Sequence, residues 1–216
     1  MSSIQSALKI PVENVEVKGN MFLPQDTKSL VIFAHGSGSS RFSPRNQYVA
    51  KEFNKAGMGT LLFDLLTPGE EEEDTLTGQY RFDINLLSKR LVGVTKWLLN
   101  DPTTSKLKIG FFGASTGAAA ALIASTKLPE EISAVVSRGG RPDLAEPFLS
   151  QVRAPTLLLV GGWDEEVISL NEQAQNRMKN ENKLVIIQEA THLFEEPGKL
   201  EEVAKLATAW FRKYLQ

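Results

Sequence analysis

Cysteine is absent from the 216 residues of this chain. Its absence excludes disulfides, thiolate metal sites and a cysteine nucleophile. Histidine is nearly absent too, since only His35 and His192 are present. Two histidines far apart in sequence form no recognisable zinc cluster, so a metallohydrolase is disfavoured. We expect neither a metal nor another cofactor, and a covalent catalyst must be a residue other than cysteine.

Long apolar runs and a large charge of one sign are also missing. No run approaches the roughly 18 apolar residues of a membrane span, and the N-terminus has no unbroken apolar stretch typical of a signal peptide. The net charge is −2, with scattered basic residues, and this disfavours nucleic acid as a partner. We expect a cytoplasmic protein without membrane partners, a monomer or small homo-oligomer, folded as one domain over residues 1–216.

Short apolar runs alternate along the chain with segments of helical periodicity. The runs are typical of strands buried on both faces: Leu30–Ala34, Gly59–Phe63, Leu107–Phe112, Ala134–Val136, Thr156–Val160 and Leu184–Ile187. The helical segments are Asn46–Ala56, Ile84–Leu99, Thr116–Thr126, Leu170–Lys179 and Pro197–Tyr214. This alternation predicts the α/β class, with a doubly wound, mostly parallel sheet.

Three further segments complete this predicted fold. Residues Val12–Leu23 alternate around Gly19-Asn20, which predicts an antiparallel hairpin at one edge of the sheet. The 17 residues between Arg138 and Thr156 are too few for a separate lid domain, so an open site is expected. The acidic tract from Glu70 to Asp74 is interpreted as a solvated loop, with a gate near the site as the alternative.

A GxSxG motif stands between a predicted strand and a helix of small residues, in the segment KIGFFGASTGAAAA. In that context Ser115 lies on a sharp, strained turn that raises its hydroxyl above the sheet, and Gly113 and Gly117 leave room for it. Ser115 is therefore the candidate nucleophile. The alternative is that both glycines merely allow tight packing and that Ser115 is a helix N-cap.

A serine hydroxyl needs a base, and His192 follows the last predicted strand at the sheet edge where ligands bind in parallel sheets. The candidate acid is Asp164, which follows the strand before that and can hold the imidazole in the correct tautomer. Glu165 and Glu166 are the competing acids. A purely structural histidine is the alternative for His192.

The other histidine belongs to the segment FAHGSGSS, a strand followed by a glycine-rich turn. In hydrolases with a GxSxG nucleophile such a loop provides the second oxyanion donor. We therefore assign the oxyanion hole to the backbone amides of Ser37 and Thr116. His35 is expected to brace this loop. A dinucleotide fingerprint is rejected because Arg41 occupies the third glycine position.

These motifs, in the chain order Ser115, Asp164, His192, resemble the small dienelactone hydrolase-like α/β-hydrolases, in the subgroup with a serine nucleophile. The resemblance extends over residues 28–214 and is carried by HGSGSSRFSPRN, LLFDLLTPGEEE, RFDINLLSKRL, GASTGAAAAL, SRGGRPDLA, APTLLLVGGWDEEVI and THLFEEPG. It implies an α/β-hydrolase fold, these three residues as the triad, and Ser37 and Thr116 at the oxyanion hole. The best-known members use cysteine, so dienelactone itself is disfavoured as the substrate.

The expected activity is therefore serine esterase activity, the cleavage of a small-molecule carboxylic ester through an acyl-enzyme on Ser115. Arg138 and Arg141 are candidates for binding a substrate carboxylate or phosphate, with a salt bridge from Arg138 to Asp143 or another loop acid as the alternative. Acyl transfer by the same triad, as in an acyltransferase or perhydrolase, is a second hypothesis. A non-catalytic ligand-binding protein on a hydrolase scaffold is the third.

Overall fold

The computed structural model describes residues 3–215 and contains a single eight-stranded sheet. Its strands are β1 (Ile4–Val12), β2 (Val15–Leu23), β3 (Ser29–Ala34), β4 (Gly59–Phe63), β5 (Lys108–Ala114), β6 (Ile132–Arg138), β7 (Thr156–Gly161) and β8 (Asn182–Ile187). They are arranged in the order β1-β2-β4-β3-β5-β6-β7-β8. The β1–β2 and β2–β4 pairs are antiparallel and every other pair is parallel. The predicted mostly parallel sheet with an antiparallel N-terminal edge is confirmed.

Helices cover both faces of the sheet. They are α1 (Pro44–Lys55), α2 (Pro68–Thr77), α3 (Ile84–Asn100), α4 (Thr116–Lys127), α5 (Glu165–Arg177) and α6 (Lys199–Tyr214), with a 3₁₀ segment at Pro142–Gln151. One apolar core lies beneath α3 and α4, and the other beneath α1 and α6. In the second core Phe211 of α6 is fully buried, and a Cβ on Gly110 of β5 would lie 2.7 Å from its ring. The last helix therefore packs on the sheet, as predicted.

The N-terminal hairpin is present, but its predicted turn was wrong. The chain reverses at Glu13-Asn14, where Glu13 takes a φ of 52°, while Gly19 and Asn20 lie inside β2. Gly19 permits close packing there, because a Cβ would lie 3.0 Å from Leu61 Cδ1. A glycine that permits close approach of a side chain was thus mistaken for a turn glycine.

The acidic tract is helical, which corrects its interpretation as a loop. Thr67 and Glu70 form a reciprocal capping box at the start of α2, and Pro68 occupies the first turn. These groups satisfy the free amides of the helix N-terminus. Asp74 is buried rather than solvated.

Helix α5 begins five residues before the predicted Leu170, directly after Asp164. Its first turn carries two acidic side chains, which the partial positive charge of a helix N-terminus favours. The 3₁₀ segment fills the connection between β6 and β7, and no separate lid domain is present in residues 3–215. None of the helices in this range is long and apolar enough to cross a membrane.

Candidate active site

The turn between β5 and α4 places Ser115 in a strained conformation, with φ 51° and ψ −121°. A positive φ in a residue other than glycine is costly and concentrates at functional sites. The neighbouring glycines explain how this turn fits. A Cβ on Gly113 would lie 2.4 Å from Ala118 Cα, and one on Gly117 would lie 2.2 Å from the carbonyl oxygen of Ala34. Both obstacles are backbone atoms, so neither position accepts a side chain without movement of the fold.

The alternative role of Ser115 as an N-cap is not supported by its hydrogen bonds. Its side chain accepts no capping hydrogen bond at the start of α4. Its backbone instead joins the turn to the neighbouring strand, since its amide donates to the carbonyl of Arg138 over 3.1 Å and its carbonyl accepts from the amide of Arg141 over 3.2 Å. The hydroxyl is therefore free of a structural role at the helix terminus.

His192 and Asp164 form a close pair at the same edge of the sheet. The imidazole Nδ1 lies 2.6 Å from a carboxylate oxygen of Asp164, and the histidine side chain is 38% exposed. Asp164 follows β7 and His192 follows β8, whereas the competing acids Glu165 and Glu166 are exposed in the first turn of α5. The carboxylate that faces the imidazole is thus that of Asp164.

Gly139 brings the imidazole close to the turn that carries Ser115. It follows Arg138, whose carbonyl accepts the Ser115 amide, and a Cβ on Gly139 would lie 3.3 Å from His192 Cε1. The ring therefore packs on the backbone beside Ser115. No hydrogen bond joins Ser115 Oγ to the imidazole among the hydrogen bonds of residues 3–215, a situation common in active sites without substrate.

The loop after β3 lies against the start of α4. The hydroxyls of Ser37 and Thr116 are 3.0 Å apart, so the two residues predicted to supply oxyanion amides are neighbours. Within the described part of the chain, neither backbone amide donates a hydrogen bond. Two unpaired amides near a nucleophile are the donors that an oxyanion requires.

His35 braces this loop as expected. Its Nε2 accepts a hydrogen bond from the amide of Leu65 over 3.0 Å, and its Nδ1 lies 3.0 Å from the carbonyl oxygen of Gly36. This pattern corresponds to a neutral ring protonated on Nδ1. Burial lowers the pKa of His35, although the Gly36 carbonyl and the carboxylate of Asp64 oppose the shift. The imidazole therefore stays neutral at physiological pH.

The segment that follows helix α2 contacts this loop, and this contact was not predicted from the sequence. The buried carboxylate of Asp74 accepts hydrogen bonds from the amides of Tyr80 and Arg81 and pairs with the Arg81 guanidinium over 2.6 Å. Burial by itself would raise the pKa of Asp74, but these hydrogen bonds and the nearby Arg81 charge together lower the pKa below its usual value. The carbonyl of Arg81 in turn accepts from the hydroxyl of Ser37. The capping box Thr67-Pro68-Gly69-Glu70 was the available sequence signal for α2.

Asn171 is a second residue that no sequence motif marked as a site candidate. It is fully buried on α5, and its amide donates to the carbonyls of Gly140 and Val167 over 3.0 and 2.8 Å. Gly140 follows the glycine beneath the His192 ring. Asn171 thus joins the helix that follows Asp164 to the segment between Ser115 and His192.

The two candidate arginines have different surroundings. Arg141 binds both oxygens of Asp143 over 2.9 and 2.8 Å. The salt bridge suggested for Arg138 as its alternative role was therefore wrong, because Arg141 takes that partner. Arg138 is only 7% exposed, and its side chain has no hydrogen bond or ion pair within residues 3–215. In the same range, no group of three or more potential metal-ligating side chains occurs.

Several large apolar side chains stay exposed beside the site residues. Trp163 precedes Asp164 and is 61% exposed, and Leu193 follows His192 and is 38% exposed. Phe42 in the loop after β3 and Phe82 beside Arg81 are also exposed. Exposed apolar side chains adjacent to polar site residues are typical of ligand-binding surfaces.

Comparison with known proteins gives matches over the whole chain and over part of it. A dienelactone hydrolase from Anabaena variabilis, known from its crystal structure, is 54% identical, with 100% of both chains covered and a TM-score of 0.98. An esterase from Pyrococcus furiosus is 20% identical over 99% of this chain and 94% of its own, with a TM-score of 0.77, and shares the fold. The family described as BAAT / acyl-CoA thioester hydrolase C terminal matches residues 93–147, which include Ser115.

Curated relatives are longer proteins. Putative phosphoribosyl transferases from two strains of Mycobacterium tuberculosis are 53% identical over 201 residues, which are 93% of this chain and 44% of each relative. The chain therefore spans less than half the length of the curated relatives that it matches.

Proposed function

Since the chain belongs to the dienelactone hydrolase family of α/β-hydrolases, we propose that it hydrolyses small carboxylic esters through an acyl-enzyme on Ser115. The observation that carries this proposal is the strained Ser115 turn beside a His192–Asp164 pair at 2.6 Å. Strain of this kind persists only where the surrounding fold maintains it. A role in ligand binding alone would need neither the strained serine nor the paired imidazole.

Acylation requires a base that accepts the serine proton. In the proposed tautomer His192 donates its Nδ1 hydrogen to Asp164, which leaves the Nε2 lone pair free. Nε2 takes the proton from Ser115 as Oγ attacks the ester carbonyl, and the imidazolium then protonates the departing alcohol oxygen. The carboxylate of Asp164 stabilises that imidazolium without being protonated itself.

The tetrahedral intermediate carries a negative charge on the former carbonyl oxygen. The amides of Ser37 and Thr116 are the proposed donors, and each such donor typically contributes about 10²–10³-fold to kcat. The Ser37–Thr116 hydroxyl contact supports this role because it joins the two donor segments, and the hydrogen bond from the Leu65 amide to His35 anchors the loop that carries Ser37. Preorganised donors lower the barrier without reorientation during the reaction.

Deacylation repeats the sequence with water. His192 removes a proton from the water that attacks the acyl carbonyl, and the proton is returned to Ser115 as the carbonyl re-forms. The exposure of the His192 side chain favours water over another acceptor, because acyl transfer needs a site that excludes water. The proposed enzyme uses no metal or other cofactor and acts on a small-molecule ester.

A labelling experiment tests this proposal. A fluorophosphonate phosphonylates activated serines, so intact mass and peptide mapping should show a single adduct on Ser115 in the wild type. Ser115→Ala and His192→Ala should give no adduct and no hydrolysis of p-nitrophenyl acetate. Ser169→Ala, which removes an exposed hydroxyl on α5, should behave as the wild type. A folded wild-type protein that forms no adduct and cleaves no ester contradicts the proposed function.

A further inference from the structure

Residues 138–141, called here the glycine segment because the middle two are glycines, lie between the proposed nucleophile and the proposed base. The two ends of the segment hold the backbone of Ser115: the Arg138 carbonyl accepts the Ser115 amide over 3.1 Å, and the Arg141 amide donates to the Ser115 carbonyl over 3.2 Å. In the middle, a Cβ on Gly139 would lie 3.2 Å from the carbonyl oxygen of His192 and 3.3 Å from its Cε1. The position of the glycine segment therefore sets how far the imidazole lies from the serine.

The shape of the glycine segment depends on contacts from outside, because glycine has little conformational preference of its own. Gly139 takes a φ of 51°, and its amide donates to the carbonyl of Leu159 in β7 over 2.7 Å. Gly140 is tightly packed, because a Cβ there would lie 2.0 Å from Ser137 Oγ and 2.8 Å from Ala118 Cβ. Strands β6 and β7 and helix α4 thus hold one side of the segment, and the carbonyl of Gly140 is left for another partner.

That partner is Asn171 on α5. Its Nδ2 donates to the Gly140 carbonyl over 3.0 Å and to the carbonyl of Val167 in the same helix over 2.8 Å. The side chain is fully buried, and its Oδ1 has no hydrogen-bond partner in residues 3–215. A buried polar atom without a partner destabilises a fold, and a carbonyl inside a helix already has a backbone donor. The contribution that an apolar side chain of similar size could not make is the hydrogen bond to Gly140.

Helix α5 also connects Asn171 with the proposed acid. The helix begins directly after Asp164, whose carbonyl accepts the amide of Ile168 over 2.9 Å. The carboxylate of Asp164 lies 2.6 Å from the imidazole of His192. Asn171 therefore joins the helix that follows the acid to the segment that holds the serine and lies beneath the base.

We propose that Asn171 is a positioning residue for proton transfer between Ser115 and His192. It is fully buried and acts through the glycine segment, which its hydrogen bond to the Gly140 carbonyl keeps in place. The proposal rests on the proposed esterase function and adds a residue on which the alignment of the base depends. A misplacement of about 1 Å can reduce a rate about 10²-fold, so loss of this hydrogen bond should slow catalysis.

Two acetate esters that differ in their leaving group test the role of Asn171. p-Nitrophenolate departs from p-nitrophenyl acetate without a proton, whereas the alkoxide of p-nitrobenzyl acetate must be protonated by the His192 imidazolium as it leaves. A misaligned imidazole therefore slows cleavage of the benzyl ester more than that of the phenyl ester. In Asn171→Leu the ratio of kcat/KM for p-nitrobenzyl acetate to that for p-nitrophenyl acetate should fall roughly tenfold.

Asn180 provides a matched control. Its Nδ2 also donates to backbone carbonyls, those of Ala154 and Glu181, and its Oδ1 is also buried without a partner in residues 3–215. It precedes β8 and so lies at the amino end of the parallel strands, opposite the edge that carries the proposed site. Asn180→Leu should keep the wild-type ratio. A loss of stability alone reduces the amount of folded enzyme and affects both esters equally, so the ratio separates positioning from a structural role.

Asn171→Ala is the second variant, because it removes the donor without adding bulk if Asn171→Leu does not fold; circular dichroism shows which variant is folded. A ratio that falls in the folded Asn171 variant and not in Asn180→Leu supports the proposal. A wild-type ratio in the folded variant refutes the positioning role, and the esterase function stands. A wild-type protein that cleaves neither ester refutes the esterase function and the positioning role together.

Discussion

His35 should make the stability of the protein depend on pH in a defined window. Burial lowers the pKa of its imidazole, and its Nε2 must stay unprotonated to accept the Leu65 amide. In the unfolded chain a histidine takes up a proton below about pH 6.5. The unfolded state then binds more protons than the folded state, so stability is intact above that pH and falls as the pH decreases below it.

The magnitude follows from a single proton. One proton contributes at most about 1.4 kcal/mol for each pH unit, so lowering the pH from 7.5 to 5.5 should remove up to about 1.4 kcal/mol through His35. His35→Gln keeps a side-chain oxygen that can accept the hydrogen bond from the Leu65 amide, and glutamine does not titrate. Urea unfolding followed by tryptophan fluorescence at both pH values measures the difference for each protein.

The comparison between the two proteins isolates His35, because His192 and all carboxylates are common to both. We expect the wild type to lose more stability than His35→Gln over this window. Equal losses in the two proteins would refute the reasoning, since they would show that the folded state does not disfavour protonation of His35.

Two further changes test the nucleophile turn and the acid. Gly117→Ala should cost about 3 kcal/mol in unfolding free energy and abolish activity, because its Cβ would meet two backbone carbonyls within 2.4 Å. Gly69→Ala, with open space around it, is the control. Equal stability of both variants in urea would contradict this account. Asp164→Asn should reduce kcat about 10³-fold or more, because it fixes the wrong tautomer of the His192 imidazole. Glu165→Gln, the control, should keep the wild-type kcat. Similar rates for the two variants would count against Asp164 as the acid.

Much of the fold was predictable because its signals are local. Buried parallel strands appear as short apolar runs, and the bounds of all six predicted strands lie within two residues of those of β3 to β8. The last helix shows its apolar stripe directly in the sequence. The hairpin turn and helix α2 were missed, because a packing glycine resembles a turn glycine and an acidic helix has no strong apolar face.

The candidate site likewise contains residues that could be predicted from the sequence and contacts that could not. The GxSxG pattern identifies Ser115 because the chemistry of a tight turn demands small residues at fixed neighbouring positions. Histidine scarcity and the position of Asp164 after a strand then reduce the candidates for base and acid to very few. These inferences depend on residue types, their number and their order along the chain, which a single sequence displays in full.

The contacts between distant segments were decided by the tertiary structure alone. Which acid faces His192 and which segment supports the Ser37 loop depend on residues brought together from separate parts of the chain. The unpaired charge of Arg138 is the clearest case. Asp143 is close to Arg138 in sequence, yet it binds Arg141. Alternation along β6 places the Arg138 side chain on the face of Ala134 and Val136, opposite the 3₁₀ segment that carries Asp143.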